Sequence, residues 1–318
     1  MSAPGHSALS VVVAIVSDTT AERADAASLA RCLEALSKQI DAPPMEIIVP
    51  HLPEVDGIEA VQQRFSQVRF IPVTNLHVSS RKGGGREHHD VLRARGLSAA
   101  RGELVGLLED HAIPDERWSA NVVAAHGKPY AAIGGAIENG IDRPLNWAVY
   151  FCDFGRYQNP LPSGESSFAS DANVIYKRSA LESIRSVWEQ SFREVVVNEA
   201  LRFRGEKVAL QPDVIVYQNR QGLRLSTALQ ERFVWGRSYA ATRSALLGNS
   251  QRLIYSLLAP LLPAILLLRM ADTAWKRRRH FGKFLTALPF SVLLVTFWSL
   301  GEGVGYVTAR ARGAGVPS

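Results

Sequence analysis

Leu104–Trp118 reads LVGLLEDHAIPDERW, and the organisation of the chain turns on this stretch. Leu104–Leu108 carries no polar side chain, which suits a strand buried on both faces in a parallel sheet. Glu109-Asp110-His111 then stand at its carboxyl end, and a helix is expected from Pro114-Asp115. In an open parallel sheet, ligands bind beyond the carboxyl ends of the strands. Two acids and an imidazole at such an end suit a hard divalent cation. They equally suit a polar turn before a helix.

The residues upstream extend the pattern. Leu9–Val16 reads as a first strand and Ala21–Gln39 as a helix, with Leu29, Leu33 and Leu36 at helical spacing. Met45–Val49 is a second strand, Ile58–Phe65 a short helix and Val68–Val73 a third strand. Ser79–Gly85 (SSRKGGG) is a loop, and His89–Arg101 is a helix ending at Gly102, a residue suited to a C-cap. Strands alternating with helices predict an α/β fold with a mostly parallel, Rossmann-like sheet flanked by helices.

Composition sets the class. With 47% hydrophobic and 21% charged residues in 318, the chain can bury a core, which excludes a disordered polymer. Two cysteines, Cys32 and Cys152, exclude a disulfide framework and a thiolate zinc cage, and suit a reducing compartment. The net charge of +6 is split. Residues 219–318 hold 14 Lys and Arg against 3 Asp and Glu, while residues 1–218 hold 22 against 27. A nucleic-acid binder carries its positive charge on the folded domain, so no nucleic-acid partner is expected. An acidic body with a basic, apolar tail predicts attachment to an anionic bilayer.

Met1–Ser10 has no basic n-region, so the first apolar run reads as a strand rather than a signal peptide, and the body is expected in the cytoplasm. Leu253–Leu268 is free of charge over 16 residues, roughly 24 Å of helix against a hydrocarbon core of ~30 Å. A second apolar run follows at Leu285–Leu300, and Lys276-Arg277-Arg278-Arg279-His280 separates the two. If both span, this cluster lies on the far side from the body, against the positive-inside tendency; a re-entrant first segment keeps it near the body. The expected domains are 1–222 (catalytic), 223–252 (an amphipathic interfacial helix) and 253–318 (membrane-associated helices and basic tail). Deleting residues 250–318 is expected to release a soluble body.

Ala94–Trp118, with its Ala100-Arg101-Gly102 turn and Glu109-Asp110-His111 strand end, resembles the segment around the Asp-x-Asp motif of family 2 glycosyltransferases of the GT-A fold. Four further stretches agree in order: Val11–Val16 with Glu46–Val49, Asn173–Leu181, Glu194–Tyr217, and Trp298–Tyr306. The resemblance implies a membrane-attached inverting transferase. It would move a sugar from a nucleotide-sugar donor to a lipid-linked or glycan acceptor, at the cytoplasmic face of the cell membrane, in making envelope polysaccharide or glycolipid. It assigns Glu194 as catalytic base, and Ser17, Asp18, His51, Arg93, Glu109 and Asp110 to the donor. Asp110 and His111 would hold a divalent cation, Mn or Mg. His51 and His111 stand where the family has acids, and a catalytically degenerate binding or scaffold protein on the same fold remains the second reading.

Three other motifs carry charge or imidazole. Arg81, Lys82 and Arg86 flank three glycines in a loop suited to phosphates. Consecutive imidazoles on a helix diverge, so His88-His89-Asp90 is not expected to form a metal site. Gln230–Trp235 is similar to the family's Gln-x-x-Arg-Trp motif with altered spacing, and Arg232, Trp235 and Arg237 suit a diphosphate or headgroups. A dinucleotide oxidoreductase is the third reading on the same fold class, and it is disfavoured because Ser17-Asp18-Thr19-Thr20 stands where its Gly-rich turn belongs.

Overall fold

The structure is a computed structural model and describes residues 8–19, 24–74, 76, 87–244 and 247–308; the loop of Arg81, Lys82 and Arg86 lies outside them. The chain divides into two compact units. The first takes in residues 1–78, 86–141 and 157–221; the second 79–85, 142–156 and 222–318. Its last stretch opens at Gly222, and residues 142–156 belong to it although they lie within the expected catalytic domain.

In the first unit the elements run β1 (Leu9–Ala14), α1 (Ala27–Ser37), β2 (Met45–His51), α2 (Ile58–Arg64), β3 (Arg69–Pro72), α3 (Glu87–Ala99), β4 (Leu104–Glu109), β5 (Ala112–Pro114), α4 (Trp118–Ala125) and β6 (Ala132–Asn139). Helix α5 (Pro144–Asp153) belongs to the second unit. The first unit resumes with β7 (Gly164–Glu165), β8 (Asn173–Lys177), α6 (Arg178–Ser183), α7 (Arg185–Trp188), α8 (Glu194–Phe203) and β9 (Val208–Gln218). The sheet order is β3-β2-β1-β4-β8-β6-β9-β5, with β7 on β9. From β3 to β4 it is parallel, as the alternation of elements predicts. Beyond β4 it is mixed: β8 is antiparallel to both neighbours, and β6 and β9 are parallel to each other. Every residue of β1 is buried, and in β4 only the two end residues are partly exposed.

The turn before β4 is fixed by close approach. A Cβ on Gly102 would lie 2.6 Å from the Ser10 amide nitrogen, so only glycine fits. The Gly102 amide donates to Ser10 Oγ at 2.7 Å, and the Arg101 amide donates to Glu46 Oε1 at 2.7 Å. The Ala-Arg-Gly turn thereby ties the amino ends of β1, β2 and β4 together. Opposite, Asn173 on β8 accepts from Trp118 Nε1 and donates to the carbonyls of Ala136 and Val214, which locks β8, β6 and β9. The helix expected from Pro114-Asp115 starts only at Trp118, after a turn in which the Trp118 amide donates to the Asp115 carbonyl, and Pro114 instead ends β5, which pairs with β9.

The second unit is helical: α5, α9 (Leu225–Ser244), α10 (Asn249–Leu258), α11 (Leu262–Lys276) and α12 (Phe281–Thr308). Its core joins Trp147, Tyr150 and Phe151 of α5 to Phe284, Ala287 and Leu294 of α12. Deleting residues 250–318 would therefore uncover the aromatic face of α5, and a soluble remainder is no longer the expected result. Helices α9 and α12 approach at glycines: a Cβ on Gly301 would lie 2.1 Å from the Phe233 carbonyl oxygen, and one on Gly236 would lie 2.2 Å from that of Trp298. Small residues at helix contacts are the packing mode of membrane bundles. Buried charge is paired: the Arg232 guanidinium forks onto Asp153, and Glu302 accepts from Trp298 Nε1 and Tyr306 Oη. Two helical stretches, Asn249–Lys276 and Phe281–Thr308, are long and apolar enough to cross a membrane, with mean hydropathy 2.0 and 1.8.

Candidate active site

The carboxyl end of β4 carries the chemistry of the first unit. Glu109 is its last residue, and the Asp110 amide donates to the Ala14 carbonyl at the end of β1. Arg93, on the second turn of α3, is buried and faces three carboxylates: Asp171 at 2.8 Å, Glu109 at 3.4 Å and Asp90 at 3.7 Å. Burial pushes the Glu109 carboxyl above its ordinary value and Asp171 adds to this, while His111 and Arg93 oppose it. Glu194 opens α8 and is half-buried, and its charge acts on both Arg93 and Tyr176. The structure thus gathers Arg93, Glu109 and Glu194, three of the residues expected from the sequence.

The pair expected to hold a cation, Asp110 and His111, is engaged in part. Asp110 is fully buried, and its Oδ1 accepts the Val16 amide at 3.1 Å. Burial raises its pKa, but the His111 ring, the Val16 amide and the Ser17 hydroxyl outweigh that and hold it below the ordinary value. His111 lies between two acids, with Nδ1 3.3 Å from Asp110 and Nε2 3.3 Å from Glu109. Asp110 Oδ2 accepts no hydrogen bond and is open to a cation, whereas His111 would have to part from one of its two acids to coordinate one.

Asp18 stands beyond the end of β1, and both imidazoles of the first turn of α3 turn towards it: His89 Nε2 lies 2.6 Å from Asp18 Oδ1, and His88 Nε2 lies 2.9 Å. Among the described residues, these three form a group whose ligand atoms all lie within 4.8 Å of one another, close enough to hold a metal ion. This corrects the expectation that the two rings diverge; their centroids are 4.0 Å apart. Burial lowers the His89 pKa to about 4 against the pull of Asp18. Asp18 resists burial through the two imidazoles and stays far below the carboxylate range. His51 sits at the end of β2 and is satisfied locally, with Nδ1 2.9 Å from the Leu52 carbonyl oxygen and Nε2 3.4 Å from Gln62.

Residues 15–185 match the profile of "Glycosyl transferase family 2", over half of the chain. The chain belongs to that family. Among curated proteins, none matches the sequence. Among solved structures it is similar to the mannosyltransferase PcManGT from Pyrobaculum calidifontis, determined in complex with GDP-Man and Mn2+. The TM-score is 0.54 at 14% identity, over 96% of this chain and 88% of that one. S. aureus TarS 1–349 in complex with UDP-GlcNAc aligns over 94% of this chain and 89% of that one, at TM-score 0.47 and 13% identity. At such identity the likeness concerns the fold, which is GT-A; the family makes the protein a glycosyltransferase. Sequence reasoning passed over three neighbours of the glycosyltransferase site: Asp171 and Asp90 on Arg93, and Gln218, whose Nε2 lies 3.4 Å from Glu109. Asp171 was open to discovery, as an acid two residues before a strand already matched to the family.

Proposed function

We propose that the protein is a membrane-attached inverting glycosyltransferase that moves a sugar from a nucleotide-sugar donor to a hydroxyl of a lipid-linked or glycan acceptor. Its place is the cytoplasmic face of the cell membrane, in the assembly of envelope polysaccharide or glycolipid. The observation that carries the reading is the pairing of Glu109 with the buried Arg93 at the carboxyl end of β4 on a GT-A sheet, with the charge of Glu194 acting on the same guanidinium. Glu109 and Arg93 face the donor, with Ser17, Asp18, Asp110 and His51 completing its surroundings. Glu194 takes the proton of the acceptor hydroxyl as its oxygen attacks the anomeric carbon. The bond from that carbon to the diphosphate breaks as the new one forms, so a single displacement inverts the centre. The amino end of α8 suits this carboxylate, because the helix dipole favours negative charge there.

An apolar acceptor is supported by α8 itself, where Val195 and Val196 are exposed next to Glu194 in the chain. Membrane attachment is supported by the two long apolar helices. The test pairs donor binding with turnover. A panel of nucleotide sugars should contain one that raises the melting temperature, since a ligand of the folded form stabilises it. Glu194→Gln should lower turnover of that donor ~10²–10⁴-fold, the contribution of a positioned base, with donor affinity unchanged. Near-normal turnover in this variant would place the base elsewhere, with Glu199 next in line.

A further inference from the structure

We propose that Asp18, His88 and His89 bind a borderline divalent transition-metal ion of the zinc class, at a site separate from the Glu109–His111 strand end. Two imidazole nitrogens and a carboxylate oxygen from two elements point at one spot, with side-chain exposures of 4%, 4% and 10%. Imidazole selects zinc, cobalt and nickel over magnesium, which prefers an all-oxygen shell. The Nε2–Oδ1 separations of 2.9 and 2.6 Å are shorter than the ~3.4 Å edge of a tetrahedron with bonds of ~2.1 Å. Parting the three atoms by ~0.5 to 0.8 Å through side-chain rotation makes room for the ion. Three protein ligands leave a fourth position open, the arrangement of zinc sites that accept an exogenous oxygen.

Placement gives the site its use. Asp18 follows β1 and the histidines open α3, so the open position lies beyond the carboxyl edge of the sheet, where α/β folds bind their ligands. A phosphate oxygen is the chemical class that would fill it. Metal binding is read directly, so it stands or falls independently of transferase activity.

The experiment uses the full chain in detergent micelles, stripped with chelator and titrated with CoCl2 and then ZnCl2. One equivalent of cobalt should give the visible absorption of a low-symmetry, nitrogen-ligated site, and zinc should displace it. Asp18→Asn and His89→Ala should each weaken cobalt binding by at least ~100-fold, more than the 10–100-fold typical of losing a mere supporting partner. Glu109→Gln should leave binding intact, and melting curves establish that each variant is folded. If His89→Ala does not fold, the near-isosteric Asp18→Asn still decides. Absence of stoichiometric binding by the wild type overturns the proposal. So does binding that survives both substitutions, or that is lost in Glu109→Gln.

Discussion

Arg93 shows how much of the site is one residue's work. Its charge is buried, and Asp171, Glu109 and Asp90 surround it within 2.8 to 3.7 Å. Removing one member of a buried ionic cluster leaves the others uncompensated, typically at a cost of ~3–5 kcal/mol. Arg93→Met should therefore lower the melting temperature sharply, with Arg93→Lys intermediate because a single ammonium cannot fork across two carboxylates. An unchanged melting point in Arg93→Met would show that the carboxylates are neutral and the cluster is not ionic. A second residue gives the fold a pH dependence. Burial lowers the pKa of His126, after α4, from 6.5 to about 4, and Lys177 acts in the same direction. In the unfolded chain the ring takes up its proton near its ordinary value, while the folded chain resists until about pH 4. The stability involved is thus fully present above about pH 6.5 and is lost as pH falls towards 4. A melting-temperature profile over that window should be flatter in His126→Gln, and an identical slope would assign the acid sensitivity elsewhere. Neither residue's environment was legible in sequence. Arg93 was matched by family pattern, but its partners come from 78 residues away in Asp171 and from a strand end in Glu109.

At the scale of elements, periodicity was a good guide wherever an element is buried on a simple pattern. The all-apolar runs of β1 and β4 and the leucines of α1 gave strand, strand and helix correctly. It failed where pairing with a distant strand decides, as for Pro114, whose partner β9 lies about a hundred residues on. It failed again for His88 and His89, because a rule about directions on one helix cannot see that Asp18 lies between them. The glycines of the tail carry a family likeness in sequence, and their physical role emerges only in the packing of α9 on α12. Gly301→Leu should force those helices apart, since its Cβ alone would meet the Phe233 carbonyl oxygen at 2.1 Å. Overpacking costs typically ~1–3 kcal/mol, and more where the obstacle is backbone. Gly282 on the same helix has no atom near its would-be Cβ. Gly282→Ala should be neutral or stabilise by up to ~1 kcal/mol. Equal melting temperatures for the two variants in detergent would refute the close helix contact.

For the whole molecule the question is what covers the tail. In the most apolar part of Asn249–Lys276 only 6% of residues are buried, against 39% for Phe281–Thr308. Leu253, Leu257, Leu261 and Leu268 are 58 to 71% exposed. A soluble protein does not leave so continuous an apolar surface in water, so a bilayer is the expected cover. The turn between the two helices is tied down. Arg278 and His280 adopt left-handed backbone, with φ of 51° and 61°, and let the chain reverse. Arg277 donates to the Arg156 carbonyl, and Lys283 pairs with Asp142. Both ties lie within the second unit and anchor the basic turn to the segment that carries α5. A bilayer over the leucines, with anionic headgroups beside the cationic turn, is the expected setting. Truncation cannot test this cleanly, because losing α12 exposes Trp147 and Phe151 of α5. Substituting the four exposed leucines by Gln leaves the core of the second unit untouched and removes much of the apolar face. The wild type should sediment with membranes and need detergent for release, because burial of each Leu contributes about 1.5–3 kcal/mol. The four-fold variant should shift to the soluble fraction or to release by high salt alone, through the remaining Lys276–Arg279 attraction. Its melting temperature in detergent should match the wild type, which separates lost anchoring from lost folding. Wild-type protein recovered in the soluble fraction without detergent would mean that another protein surface covers these leucines.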